Sequence, residues 1–328
     1  MEYLTCYVGL EHYGAHLMCP WCEASSLEPD HPLVISGIYA STPWNDFRAD
    51  ADWRQTSWNR HPVASWIASH PIRHPLFALP GVSIQTIMPD HLHICDLGVF
   101  QRIIGNLLFG MVFDRMVPGA DTKSRVQAAW YMIEGEYVNL RISQRISGLT
   151  LSMFCNEKKI HGSQPSLRGV KAAETRWLLP AVVSAFEKLA SDSDEHRLAV
   201  RCGRCACGYL DTMQNIEGHV PTPEEASDIR RFVFHLTMSY SALRWSSYRR
   251  GLVRWGLTPK FHFLCHLADM CSYSNPRNNW TYMDEDFMGI MKKLVKGCFA
   301  GTKFENVQVK TAVRWALAYD LSCAFHDL

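Results

Sequence analysis

The sequence has 328 residues, of which 47% are hydrophobic and 12% aromatic, so it can bury a large core in one big domain or in two. Lys and Arg total 33 against 32 for Asp and Glu, which excludes an overall basic field and restricts any nucleic-acid binding to a local surface. The sequence shows neither a signal peptide nor an apolar run of the roughly 18 residues that a membrane span needs. We therefore expect a nuclear or other intracellular protein.

Residues 1–82 are rich in Pro, Trp, His and Asp and predict an irregular segment of short elements. Within it, Cys19 and Cys22 have the two-residue spacing that lets two thiolates bind one zinc ion. His12 and His16 stand just upstream at a four-residue interval and are candidates for the third and fourth ligands. The alternative is a pair of buried, reduced cysteines. The twelve cysteines are scattered through a chain that needs no disulfides, so we expect reduced thiols.

The next segment predicts a strand followed by a helix. Residues 82–87 alternate apolar and polar side chains, and apolar residues recur at helical spacing from Leu97 onward. Between them lie four groups that can bind a metal ion: Asp90, His91, His93 and Asp96. Asp96 as the N-terminal cap of a helix over 96–116 explains part of this cluster without catalysis. The alternative is a metal-dependent hydrolase that uses Asp90, His91 and His93, with a contribution from His262 or His266.

Helix dominates the remainder of the sequence. Periodicity and Pro/Gly breaks predict helices over 123–146, 169–190, 194–216, 223–254, 259–271, 282–299 and 305–325. Thr222, Pro223 and Glu225 form a capping-box start signal for the fourth of these. Cys202, Cys205 and Cys207 lie on the third, where core thiols are favoured over metal ligands. A purely helical interaction protein is a further alternative for the whole chain.

Two further clusters lie near the C-terminal end. His262 and His266 share one face of a helix and can bind a metal, although the flanking Phe and Leu residues favour buried packing. Basic residues alternate with Trp245, Tyr248 and Trp255, a pattern that suits phosphate contacts with aromatic stacking, or else a solvated helix face. We take the DNA-binding candidates to be Arg249, Arg250, Arg254, Lys260, Lys292 and Lys293.

Taken in order, these motifs carry a resemblance to a known family. They are the Cys pair, TPWNDFR (42–48), Asp90-x-x-His93 followed by DLGVFQRIIGNLL (96–108), KAAETRWLLP (171–180), PKFHFLCH (259–266) and WTYMDEDFMGIMKKL (280–294). Their order and spacing resemble the catalytic region of cut-and-paste transposases of the CACTA type and their relatives.

The resemblance implies a ribonuclease H-like core whose Asp, Asp and Glu hold two Mg²⁺ or Mn²⁺ ions for DNA strand cleavage and transfer, as in a two-metal mechanism. Glu285 matches the final acid, Asp90 and His93 match an accessory Asp-x-x-His motif, and Cys19 and Cys22 match a Cys pair. The family's two catalytic Asp residues precede its Cys pair, whereas residues 1–18 contain no Asp. Glu285 is then the one acid of the three that is present, and a single carboxylate holds two small ions with strict octahedral geometry poorly.

We therefore predict a truncated or domesticated transposase fragment that is mainly α with a small β component. The predicted parts are a Cys-pair segment with a remnant of the core (1–96), a helical insertion (97–278) and C-terminal helices that carry Glu285 (279–328). The fragment is expected to bind DNA, including transposon ends, without acting as a nuclease. Zn²⁺ is the ion expected at the Cys pair, and the oligomeric state is left open.

Overall fold

The computed structural model describes residues 19–22, 24–26, 43–56, 80, 88–299, 301 and 303–326. Within these ranges the chain is mainly helical, as predicted, and its only pairing between extended segments is an isolated parallel bridge between Ser25 and Pro43. The described ranges show no ribonuclease H-like sheet, and the predicted strand over 82–87 lies outside them. The chain divides into two compact units, Met1–Asn279 and Trp280–Leu328.

The helices follow the predicted order. A π-helical segment, Leu92–Val99, continues directly into α1. The α-helices are α1 (Phe100–Phe113), α2 (Thr122–Asn139), α3 (Ala172–Leu189), α4 (Asp194–Asn215), α5 (Pro223–Arg249), α6 (Pro259–Met270), α7 (Tyr282–Phe299) and α8 (Val307–His326). Short 3-10 turns occur at Asp52–Thr56, Leu151–Met153, Pro276–Asn279 and Phe304–Asn306.

The capping box predicted for α5 is confirmed. Thr222 Oγ1 accepts a hydrogen bond from the Glu225 amide at 3.2 Å, and the Glu225 carboxylate accepts one from the Thr222 amide at 2.7 Å. Pro223 occupies the first helical turn. Proline lacks a backbone N–H, and at this position an N–H would have no hydrogen-bond acceptor within the helix.

Helices α2 and α5 end earlier than predicted because a residue with positive φ follows each of them. Arg141 has a φ of 54° just beyond α2, and Gly251 has a φ of 68° just beyond α5. In both cases the next amide bonds back to a carbonyl five residues earlier, Ile142 to Tyr137 and Leu252 to Ser247, each at 2.9 Å. Such closing turns satisfy the last helical carbonyls and end the helix. Arg254 therefore lies beyond α5.

The π-helical segment and α1 form the central element of the first unit. Of α1, the residues from Ile103 to Val112 are all buried, and the two elements pack against α2, α3, α4 and α6. Leu92–Phe113 is long and apolar enough to span a bilayer, but 83% of an 18-residue apolar window within it is buried inside the structure. This is the pattern of a core helix.

The cap at the start of this element is Asp90, so the prediction that Asp96 is the cap is wrong. The Asp90 carboxylate accepts hydrogen bonds from the amides of Leu92 at 3.1 Å and His93 at 3.3 Å. Asp96 instead lies inside the helical segment, fully buried, with Arg176 of α3 bonded to its carboxylate at 2.8 Å. An acid two turns into the helix cannot reach the unpaired amides of the first turn.

Helices α4 and α5 run antiparallel along most of their length. A side chain at Gly208 would meet the Phe232 ring at 2.6 Å, and the Cys202 thiol lies 3.8 Å from the Leu236 carbonyl oxygen. Glycine at position 208 therefore permits the close approach of the two helices. Together with α6, which packs on α5 and on the π-helical segment, they form the scaffold for the site described next.

In the second unit, α7 and α8 pack against each other. Phe287 of α7 contacts Trp315 of α8 edge to face, with ring centroids 4.9 Å apart.

Candidate metal centre

Four side chains that can ligate a metal converge at one buried point of the first unit. They are the thiols of Cys19 and Cys22 and the imidazoles of His262 and His266, and their ligand atoms all lie within 4.8 Å of one another. The Cys19 Sγ–His266 Nε2 and Cys22 Sγ–His262 Nε2 distances are both 3.2 Å, and the two Nε2 atoms are 3.1 Å apart. Up to 247 residues of sequence separate these partners.

Local structure prepares each half of the cluster. On α6, which begins at Pro259, the four-residue interval places His262 and His266 on one face, one turn apart. Around the Cys pair, the amide of Trp21 donates to Cys19 Sγ and the amide of Ala24 donates to Cys22 Sγ, both at 3.4 Å. These amides favour the thiolate form of the sulfur atoms, which is the form that binds a metal.

A backbone carbonyl orients one of the two imidazoles. His262 Nδ1 lies 3.1 Å from the carbonyl oxygen of Trp44, an acceptor that requires the ring to carry its proton on Nδ1. The Nε2 lone pair of His262 then points at the cluster, as it does in histidines that bind a metal.

Aromatic rings exclude water from the cluster. Trp53 packs edge-on against His262 and His266 at centroid distances of 4.3 and 5.3 Å, and Trp21 lies 5.7 Å from His266. Both tryptophans are completely buried. The apolar surroundings strengthen electrostatic attraction between a cation and the two sulfur atoms.

The two thiols have opposite pKa shifts in the metal-free protein. Burial raises the pKa of Cys19, but hydrogen bonding with Cys22 and the nearby imidazoles of His266 and His262 outweigh it and hold this pKa well below its usual value. Burial, reinforced by the negatively charged Cys19, raises the pKa of Cys22 well above its usual value. Burial also lowers the pKa of His262. Cys19 is therefore the thiolate of the pair, and Cys22 is the protonated thiol.

The donor set fits a metal ion such as zinc. In a tetrahedral site with Zn–S near 2.3 Å and Zn–N near 2.0 Å, neighbouring ligand atoms lie roughly 3.3–3.8 Å apart. The observed contacts of 3.1 and 3.2 Å are slightly shorter than this, and one cation at the centre would reach all four atoms. Two thiolates and two imidazoles are a common ligand set for structural zinc.

The structure confirms that the Cys pair belongs to a cluster that can bind a metal ion. His12 and His16 lie outside the described residues. The structure instead supplies His262 and His266, for which buried packing was favoured. They are indeed buried, but their Nε2 atoms face the two sulfur atoms. The four-residue spacing was the available signal, and nothing in the sequence placed it beside Cys19 and Cys22.

The Asp90 cluster is a separate feature. The Asp90 carboxylate bonds to the ring of His93 as well as to the amides that it caps. His91 is fully buried, stacks on Tyr209 at 5.9 Å and lies 3.7 Å from the Asp96 carboxylate. Burial lowers the pKa of His91 to about 4. Among the described side chains, the Cys/His cluster is the one group of three or more potential metal ligands. None of the residues near Asp90 belongs to it.

The DNA-binding candidates have different surroundings. Lys260 donates to the Leu97 carbonyl at 2.8 Å, where the backbone leaves helical geometry, and burial lowers its pKa. Arg254 pairs with Asp114 and Arg250 pairs with Glu195. Among the described residues, the exposed candidates that form no ion pair are Arg249 in the first unit and Lys292 and Lys293 in the second. Glu285 lies on α7, but its side chain is outside the described part of the chain.

Searches of protein-family models, of curated proteins and of solved structures each find no match to this chain.

Proposed function

We propose that the chain is a transposase-derived, DNA-binding protein in which a structural zinc ion, bound by Cys19, Cys22, His262 and His266, fastens the N-terminal segment to the helical domain. The observation that carries the proposal is the convergence of these four ligand atoms within 4.8 Å of one another. Four protein ligands close the coordination sphere and leave no position for water or substrate, which is typical of structural zinc.

The cluster also supports the transposase origin. Two of the motifs on which the resemblance rests, the Cys pair and PKFHFLCH, are the two halves of the same site. A metal that needs both halves is a physical reason for both motifs to occur in one chain. The remaining acid, Glu285, stands 19 positions beyond His266 in the sequence, so the metal-binding helix directly precedes the helix that carries the proposed catalytic match.

The geometry argues against the alternative of a metal-dependent hydrolase. Such an enzyme needs an open coordination position on its metal. The Cys/His ligand set is complete without water, and Asp90 and His93 bond to each other and to the helix start. Neither arrangement offers an activated nucleophile.

Of the family's three acids, this sequence supplies a match for one. We propose that the 328-residue polypeptide binds DNA without cutting it, because Glu285 by itself cannot hold the two Mg²⁺ or Mn²⁺ ions of the two-metal mechanism. The exposed cations Arg249, Lys292 and Lys293 are the candidates for contacts with duplex phosphates.

Zinc content is the first test of this proposal. Protein expressed in metal-replete medium should contain one zinc per chain by elemental analysis. The Cys22→Ser variant should lose it, and Cys205→Ser, a change at a partly exposed cysteine of α4, should retain it. Wild-type protein without zinc would refute the structural role of the cluster.

DNA binding and cleavage are the second test. Wild-type protein should bind a labelled duplex with an affinity that falls as salt rises, and each of Arg249→Gln, Lys292→Gln and Lys293→Gln should reduce the salt slope by about 1. Incubation with Mg²⁺ or Mn²⁺ should leave the duplex intact. Robust cleavage that disappears in Glu285→Gln would contradict the fragment hypothesis, and the absence of duplex binding would contradict the DNA-binding role.

A further inference from the structure

A groove of about 690 Å³ lies between α5 and the segment that follows the Ser25–Pro43 bridge. Its lining includes residues 45–48 on one side and residues of α5 on the other, together with Leu257. The side chains that matter for its chemistry are Arg48, Arg244, Trp245 and Tyr248. All of them belong to the first unit.

The groove presents two aromatic rings to solvent. Trp245 is 61% exposed and Tyr248 is 73% exposed. The rings meet edge to face with centroids 5.9 Å apart, so they support each other while large parts of both remain open. A large exposed tryptophan beside an exposed tyrosine is more typical of a binding surface than of a solvated helix face.

The groove also carries excess positive charge. Arg244 forms no ion pair with any described carboxylate. Arg48 pairs with Asp46 at 2.7 Å, yet 65% of its side chain stays exposed. With Asp46 as the single acid among the lining residues against these two arginines, the lining has a net charge of +1.

We propose that this groove binds single-stranded DNA, with unpaired bases stacked on Trp245 and Tyr248 and the flanking phosphates bonded by Arg244 and Arg48. Aromatic rings beside cations are the usual combination for single strands, because every base has a face that can stack. A duplex cannot bind in this way, since its bases already stack on one another. The choice of DNA over RNA rests on the proposed function. A proline-rich peptide would use the rings but would leave the arginines without an anion.

The metal centre stabilises one wall of the groove. Trp44, whose carbonyl is bonded to His262 Nδ1, directly precedes Asn45 at the rim. Metal binding at His262 thus fixes the segment that carries Arg48, whereas Trp245 and Tyr248 stand on α5. Loss of the metal should weaken strand binding, but loss of the aromatic rings should leave the metal in place.

The test is fluorescence anisotropy with a 5′-labelled oligo(dT) of about 15 nucleotides. Trp245→Ala and Tyr248→Ala should each weaken binding by about 10-fold, because loss of one stacked base commonly has an effect of this order. Trp245→Phe should retain most of the affinity. Tyr131→Ala is the matched control, since Tyr131 is 65% exposed on α2 but lies away from the groove lining, and it should have no effect.

Three results would overturn the proposal. They are equal effects of Trp245→Ala and Tyr131→Ala, tighter binding of oligo(U) than of oligo(dT), and binding of a proline-rich peptide by a protein that does not bind oligo(dT). Zinc content and duplex affinity of the same variants separate this proposal from the previous one. If the protein retains zinc and binds duplex DNA but does not bind oligo(dT), the single-strand role of the groove is refuted and the previous proposal is not. Absence of zinc in wild-type protein that still binds oligo(dT) through Trp245 refutes the structural metal alone.

Discussion

The carbonyl oxygen of Trp44 and the Nδ1 atom of His262 lie 3.1 Å apart, although 218 positions separate the two residues in the sequence. The carbonyl requires a proton on Nδ1 and so directs the unprotonated Nε2 of the same ring toward Cys22. It also connects the backbone of the N-terminal segment to α6 outside the Cys/His cluster itself. Backbone geometry and metal ligation therefore depend on each other at this point.

Removal of the metal should destabilise the chain and release the segment around the Cys pair. If free zinc stands at about 100 times its dissociation constant, binding contributes about 2.7 kcal/mol, which corresponds to a loss of about 5 °C in Tm for a domain of this size. Thermal denaturation with and without a high-affinity chelator measures it. Limited proteolysis should show faster cleavage within residues 43–56 after chelation, and an unchanged digestion pattern would contradict the anchoring role.

The buried ion pair between Asp96 and Arg176 should be far more sensitive to mutation than a surface pair. The Asp96 side chain is 0% exposed and that of Arg176 is 9% exposed, so Arg176→Met leaves a buried carboxylate without its cation and should cost about 3–5 kcal/mol in unfolding free energy. Arg197→Met removes the exposed pairs with Asp192 and Asp194 and should cost far less, because solvent screens exposed pairs. Urea denaturation of both variants gives the comparison, and equal losses would count against the buried pair.

His91 should make the first unit less stable in mild acid. Burial lowers its pKa to about 4 in the folded protein, whereas in the unfolded chain it titrates near 6.5. Between these two values the unfolded state binds more protons, so stability is lost as the pH falls from about 6.5 to about 4, by about 3 kcal/mol in total.

His91→Phe keeps a ring against Tyr209 but removes the titrating group. From pH 7 to pH 4 its unfolding free energy should therefore fall by about 3 kcal/mol less than that of wild type. Denaturant titrations across this range are the measurement, with His219→Gln at an exposed position as the control. Parallel curves for wild type and His91→Phe would show that His91 does not contribute.

Two glycines in helices should respond oppositely to alanine. A Cβ at Gly105 of α1 would lie 2.4 Å from the backbone of Ser166, whereas a Cβ at Gly135 of α2 would meet nothing within 4 Å. Gly105→Ala forces backbone apart in the core and should cost at least about 1–3 kcal/mol. Gly135→Ala should stabilise the protein by about 0.5–1 kcal/mol through higher helix propensity. Thermal unfolding of both variants measures these changes in stability. An unchanged stability of Gly105→Ala would contradict the prediction.

Lys260 should act in folding and Arg249 in DNA binding. The Lys260 ammonium bonds to the Leu97 carbonyl, which the local departure from helical backbone leaves available, so Lys260→Met should cost about 1–3 kcal/mol of stability. Its duplex affinity, measured at a temperature where it is folded, should match wild type. Arg249→Gln is exposed and should show the reverse, with unchanged Tm and weaker binding. A large affinity loss in Lys260→Met would restore it as a phosphate contact.

Local signals in the sequence predicted most of the helices. Apolar periodicity placed α3, α4 and α6 to within a few residues, and Thr222 with Glu225 fixed the start of α5. Helix ends were less predictable, because Ile142 keeps the apolar spacing beyond α2 but reaches the core from a turn. The Asp90 cap and the buried Asp96 could not be distinguished, since both are acids close to the start of the same helix.

The metal centre was half predictable for a physical reason. The Cys19/Cys22 spacing allows two sulfur atoms to reach one ion. This requirement involves residues close in the sequence, so a local pattern predicts it. His262 and His266 meet the cysteines only through the packing of α6 with the N-terminal segment, and no local pattern encodes that contact. The buried pair of Asp96 with Arg176, 80 positions apart, escaped prediction for the same reason.

The sequence separation of the two halves of the Cys/His cluster also determines when each half is synthesised. Cys22 and His262 are 240 residues apart, and at a translation rate of about 5–20 residues per second the second half follows the first by roughly 10–50 seconds. During that interval the cysteine pair emerges from the ribosome without its histidines. In the proposed zinc site, all four ligands can therefore hold the ion only after α6 has been synthesised, and until then the two thiols lack their histidine partners.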